Sequence, residues 1–234
     1  MPMPTIRVRV SGDYACFTRP ETKVERYSYP VMTPSAARNI LDAICWRPQM
    51  RWVVTRISVL KEIRTLAVLR NEVQSKLSPS SVKNWMSDSS KFEPLAAGAG
   101  NGTDSTPRNT TLLRDVAYWI DAYALVFDRS GDNTEQKYVA MMERRVAKGQ
   151  CFQRPYLGCR EFAAEFSSEL PGDKPISKSI PIGRMLYDIA FLGQSNRAVF
   201  FDAQLVEGVL DTDPTVALAS SKGREEVLQC SYRR

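Results

Sequence analysis

The chain has 234 residues, 43% hydrophobic and 25% charged, enough for one large domain or two small ones around a sizeable core. It carries 32 Lys and Arg against 26 Asp and Glu and has no histidine, which excludes His-based metal ligation and any Ser-His-Asp or Cys-His arrangement. No apolar run approaches the roughly 18 to 20 residues of a membrane-spanning helix and the N-terminus has no apolar signal core, so no membrane partner and a cytoplasmic location are expected.

Ile6, Val8 and Val10 alternate with Arg7, Arg9 and Ser11, the period of a half-buried strand with cations on its other face. A long loop follows, and Thr33-Pro34 then opens a helix, with Thr33 as N-cap and Pro34 in the first turn. Ile40, Leu41 and Ile44 form its apolar stripe, and Pro48 stops it near Trp46. The β-branched stretch 51–63 predicts a second strand, and 64–76 a further one. From about 78 to 109 the composition turns to Ser, Gly, Pro, Asn and Ala, which predicts a flexible insertion. Alternation returns over 111–127 as a strand. Asp132-Asn133 with Gln136 three residues on predict the cap of a helix running to about Lys148, with Gly149 just past its end. Strand-like pieces over 151–166, 180–192 and 197–210 follow, punctuated by Gly and Pro.

This order predicts an α+β chain. Its body is a ferredoxin-like (RRM-like) antiparallel sheet with helices on one face, and a small C-terminal β subdomain is added. The expected division is 1–148 for the ferredoxin-like RNA-binding domain with its insertion at about 78–109, 149–212 for the β subdomain, and 213–234 for a tail. The other sheet face is expected to be open, with Arg7 and Arg9 on it.

Charge is unevenly placed. Residues 1–76 hold 13 Lys and Arg against 6 Asp and Glu, while the rest holds 19 against 20. The loop within Gly12–Arg38 sets Arg19, Lys23 and Arg26 among Tyr14, Phe17, Tyr27 and Tyr29. Cations supply phosphate contacts and aromatic faces supply base stacking, so the loop fits RNA; an ordinary solvated basic loop is the alternative. Arg144, Arg145 and Lys148 close the later helix, where they complement its dipole or contact RNA. The five cysteines, odd in number and without Cys-x-x-Cys spacing, argue against a disulfide framework or a zinc knuckle. No metal and no other cofactor is expected.

Several stretches then fall in one family's order across about 160 residues. They are Gly12–Glu21, Lys23–Arg26, Met32–Arg38, Ile44–Pro48, Arg70–Val73, Arg144–Cys151 and Tyr156–Phe162. They resemble the CRISPR-associated proteins of the RAMP superfamily, in particular its subtype I-C, Dvulg-type group of pre-crRNA-processing Cascade subunits. The resemblance implies a ferredoxin-like domain with a β extension. It implies binding of the 5′ repeat-derived handle of crRNA, and metal-independent endoribonuclease cleavage of pre-crRNA by attack of a ribose 2′-OH. Its implied partners are crRNA and pre-crRNA, the backbone and large subunits of Cascade, and target DNA through the complex.

The family credits catalysis to a Tyr or His near the end of the first helix and a Lys-His pair at the start of the later one. These positions are Cys45, Gln136 and Lys137 here, so all three depart from the family pattern. The candidate catalytic residues are therefore Lys137, Cys45 and Gln136, and the candidate RNA-binding residues Tyr14, Arg19, Lys23, Arg26, Arg144, Arg145 and Lys148. Lys137 supplies positive charge, Gln136 only hydrogen bonds, and Cys45 is a base only with a lowered pKa. A non-catalytic subunit that caps the 5′ handle is the alternative function.

Overall fold

The computed structural model describes residues 4–22, 24–73, 76–92, 105–191 and 196–228. Lys23 and Cys230 lie outside them. Nine strands form one sheet: β1 (Thr5–Ala15), β2 (Arg26–Tyr27), β3 (Met50–Val59), β4 (Thr65–Val73), β5 (Ser105–Val126), β6 (Glu165–Ser167), β7 (Ile180–Phe191), β8 (Asn196–Val206) and β9 (Val209–Asp211). Helices α1 (Pro34–Ile44) and α3 (Glu135–Ala147) are the two that pack on it at the centre. A shorter helix, α2 (Pro79–Ser87), lies within the stretch read as an insertion and buries none of its residues.

The central order is β6-β1-β5-β3, all pairs antiparallel. α1 joins β1 to β3 across β5, and α3 joins β5 towards β6 across β1. These two interleaved βαβ crossovers define a ferredoxin-like sandwich, as the sequence pattern predicts. α1 lies on β3 and β7, α3 on β5, β1 and β6, and the helices touch each other, so both cover one face. Ile6, Val8 and Val10 are buried with Ile120, Ala122 and Ala124 of the neighbouring strand. The C-terminal strands continue the sheet: β9 pairs with β3 at Arg56–Ser58 and with β8, which pairs with β7. Helices α4 (Pro214–Ala217) and α5 (Ser221–Leu228) follow, with Leu218 and Val227 buried.

Thr33 Oγ1 accepts the Ala36 N–H, the cap that Thr33-Pro34 predicts. The later cap is displaced by one residue. Thr134, not Asp132 or Asn133, accepts the Lys137 N–H at 3.2 Å. Asn133 Oδ1 is occupied instead by the Tyr138 hydroxyl, 2.8 Å away, and by Lys137 Nζ.

The sheet face opposite the helices differs from expectation. Arg7 donates to Asp121 at 2.6 Å and to Glu169 at 2.8 Å, and Arg9 to Asp173 at 2.7 Å. Glu169 and Asp173 belong to the segment that runs into β7, and Ile176 N–H donates to Val59 C=O at 2.9 Å. That segment crosses the face, so Arg7 and Arg9 are neutralised rather than offered to a polyanion.

A buried ion cluster ties the C-terminal strands to α1. Arg38 Nε and Nη2 grip the Asp188 carboxylate at 2.7 and 3.0 Å, and Arg51 Nη2 adds a third contact at 2.6 Å. Arg38 Nη1 also reaches Asp42 at 2.6 Å. Burial drives the Asp188 carboxyl upward, but the charge and hydrogen bonds of Arg38 and the charge of Arg51 outweigh it and hold its pKa below the ordinary value. A depressed carboxyl contributes stability above its unfolded pKa, about 3.9, and loses it as pH falls through the folded value. Asp188→Asn removes the buried carboxylate that both Arg38 and Arg51 contact, so it should lower the unfolding free energy by about 3–5 kcal/mol at neutral pH. Urea melts would check this, and the gap from wild type should narrow below about pH 4.

Candidate nucleic-acid interface

The loop after β1 is held by close backbone approach. Gly12 packs against Leu157 and the Ala163 carbonyl, where a Cβ would come within 2.5 and 2.9 Å. Gly158 has φ +85°, and a Cβ there would meet the Cys16 carbonyl at 2.1 Å. Cys16 N–H donates to Leu157 C=O, and Tyr29 N–H to Phe17 C=O. These bonds hold residues 16–17 and 29 together beside the 156–163 turn.

On this frame Arg19 lies over the ring of Tyr29 at 4.6 Å and that of Tyr27 at 5.9 Å. Tyr29 is buried, whereas Tyr27 is 49% exposed and Tyr14, tilted against Phe162, is 44% exposed. Arg26 is less available. It faces Glu72 at 3.5 Å, Glu161 at 4.0 Å and the Cys159 sulfur at 3.4 Å. Cys159 Sγ donates to the Cys16 carbonyl at 3.8 Å, and the neighbouring Cys159, with Thr18, Arg26 and Arg70, draws the Cys16 thiol below its ordinary value against burial. The nearness of Cys16 and burial raise Cys159.

The second cluster lies where α1 ends. Arg145 Nη1 donates to Ile44 C=O at 2.5 Å, the indole N–H of Trp52 to Cys45 C=O at 2.7 Å, and the N–H groups of Phe152 and Gln153 to Ala43 C=O at 2.9 and 3.1 Å. Helix-end carbonyls need such partners. Arg145 therefore holds α3 to α1, while Arg144, Lys148 and Arg47 are exposed. Sequence reasoning left Arg47 out of the site, although it stands in the matched stretch Ile44–Pro48.

Cys45 is fully buried, and burial pushes its thiol up despite the nearby Arg145, Arg47 and Arg144 charges. That shift works against its acting as a proton acceptor. Lys137 Nζ binds Asp132 at 2.6 Å and Asn133 at 3.2 Å on the surface, and Gln136 is exposed. Of the three candidate catalytic positions, only Lys137 carries charge. The cluster can gather and stabilise phosphate charge, but Cys45 and Gln136 do not supply general acid–base groups.

A ferredoxin-like body with a basic, aromatic loop beside the start of α1 and a cationic cluster at its end suits an RNA-handling α+β protein. The sequence model for the CRISPR-associated Cas5 protein, Cas5d type, matches residues 5–178. The chain belongs to that family. It is 44% identical over 220 residues to the CRISPR pre-crRNA endoribonuclease Cas5d of Mannheimia succiniciproducens, covering 91% of this chain and 96% of that one. It is 40% identical over 196 residues to the protein of the same name from Thermus thermophilus, covering 83% and 77%. Two solved structures share the fold. One is a functionally uncharacterized protein from Streptococcus mutans (TM-score 0.63, 20% identity, covering 92% and 96% of the two chains). The other is a CRISPR-associated protein (TM-score 0.61, 23% identity, covering 90% and 94%).

The thiols give a direct check of this geometry. An alkylating reagent should modify exposed Cys151 promptly and Cys45 only after denaturation, as followed by peptide mass spectrometry. Prompt labelling of Cys45 in the native protein would contradict its burial.

Proposed function

We propose that this chain binds the 5′ repeat-derived handle of crRNA within a subtype I-C Cascade surveillance complex and cuts the pre-crRNA repeat without a metal. The observation that carries this reading is near full-length similarity to proteins named CRISPR pre-crRNA endoribonuclease, together with the basic, aromatic loop over Gly12–Arg38. In this reading residues 1–148 are the RNA-binding body, residues 149–212 extend it, and backbone and large subunits and target DNA meet it in the complex. Tyr14, Arg19 and Tyr27 face the handle, with Arg26 beside them, Lys23 adds a further cation from the same loop, and Arg144 and Lys148 contact its phosphates.

The cut breaks the P–O5′ bond. A ribose 2′-OH attacks the adjacent phosphorus, its proton leaves to solvent, and the 5′ oxygen departs with a proton, leaving a cyclic phosphate. Lys137 stabilises the charge that grows on the phosphorane and donates to the leaving oxygen. Without a His or Tyr partner the step is slow, because each general acid or base contributes about 10²- to 10⁴-fold.

The burial of Cys45 and the neutral Gln136 favour a second reading, in which the chain caps the handle without cutting it. Incubation with the protein's own repeat RNA in EDTA separates the two. The first reading expects a specific cut with cyclic-phosphate ends, slowed about 10²- to 10⁴-fold in Lys137→Ala. Tight binding with no cut over hours establishes the second. Under either, affinity should fall steeply with salt, with a log–log slope of about −0.7 per phosphate contact. A flat salt response would remove both.

A further inference from the structure

A groove runs between α1 and the chain that follows α3. One part, about 310 Å³, is lined by the aromatic side chains of Trp46, Phe152 and Tyr156 and by Asn39, Asp42 and Gln153. A second part, about 230 Å³, shares Asn39 and Tyr156 with the first and continues to Thr18, Thr33 and Ser35 at the other end of the helix. The groove thus follows α1 from its cap to its C-terminal turn.

Phe152 is the unusual member. It is 74% exposed, yet its backbone is fixed, because its N–H and that of Gln153 both donate to Ala43 C=O. A large apolar ring three-quarters exposed on a pinned backbone contributes little burial to the chain itself. A ring with two side-chain torsions on a pinned backbone loses little entropy when a flat partner stacks on it. Asn39 and Gln153 add amide donors and acceptors of the kind that pair with base edges. Exposed Arg47 and Arg144, whose charges act on Cys45 at this same helix end, would flank a strand entering there. Stacking walls, amide groups and neighbouring cations match one occupant better than an apolar peptide.

We propose that the Trp46–Phe152–Tyr156 end of this groove takes one unstacked nucleobase of the repeat RNA, with the Phe152 ring stacked on it. The inference rests on the RNA binding proposed above and adds where a base is read. Trp46 and Tyr156 close the walls, and Asn39 and Gln153 face the edge of the base.

The test measures affinity for fluorescently labelled repeat RNA, intact and with single abasic nucleotides scanned through it. Phe152→Ala should weaken intact RNA by about 5- to 150-fold, the range for one lost base stack. Phe152→Tyr should restore most of the affinity. In wild type one abasic position should cost a similar factor, and that position should cost nothing further in Phe152→Ala. Equal affinity of wild type and Phe152→Ala, or the same abasic profile in both, would overturn the pocket while leaving RNA binding intact. Absence of RNA binding by wild type would overturn both. Unchanged RNA affinity with weakened assembly of Phe152→Ala into the complex would also overturn it, assigning the groove to a partner protein's side chain.

Discussion

The C-terminal turn of α1 must not leave its carbonyls unpaired inside the protein, and the arrangement of the site follows from how they are paired. The Cys45 N–H serves Leu41, the Phe152 and Gln153 N–H groups serve Ala43, Arg145 serves Ile44, and the Trp52 indole serves Cys45 itself. One strand, one helix and one loop are thereby drawn to a single point. Exposed Arg47 and Arg144 and the Phe152 ring stand around it because their neighbours are fixed there. The same packing encloses Cys45, so this candidate catalytic residue serves the helix end.

Much of the frame was legible from local signals. Alternation at Ile6, Val8 and Val10, the Thr33-Pro34 cap and Gly149 after α3 each act within a few residues, and each is found in place. What was not legible depends on distant partners. Nothing near Arg26 announces Glu72 or Glu161, and nothing near Arg7 or Arg9 announces Glu169 or Asp173. The α3 cap moved to Thr134 because Asn133 was claimed by the side chains of Tyr138 and Lys137, a competition that a capping pattern does not contain.

This bears on how the charge bias is read. The N-terminal third holds the cationic excess, but Arg7, Arg9, Arg26, Arg38 and Arg51 are largely engaged by carboxylates from later in the chain. The bias partly records a fold in which an early basic half meets later acids. The cations left facing solvent near the candidate site, Arg47, Arg144 and Lys148, come mostly from the remaining two thirds, whose net charge is close to zero. Net charge by segment is therefore a poor guide to where a polyanion sits, whereas the aromatic neighbours of each cation are a better one.

The Asp188 cluster also sets an order in time. Arg38 and Asp188 are 150 residues apart in the chain. At roughly 5–20 residues per second, a ribosome needs about 8–30 s to make the second after the first. Through that interval the guanidiniums of Arg38 and Arg51 have no Asp188 to close on, and the edge of β3 has no β9. The cluster that ties α1 to the C-terminal strands can therefore close only after Asp188 is made, long after the rest of the N-terminal body.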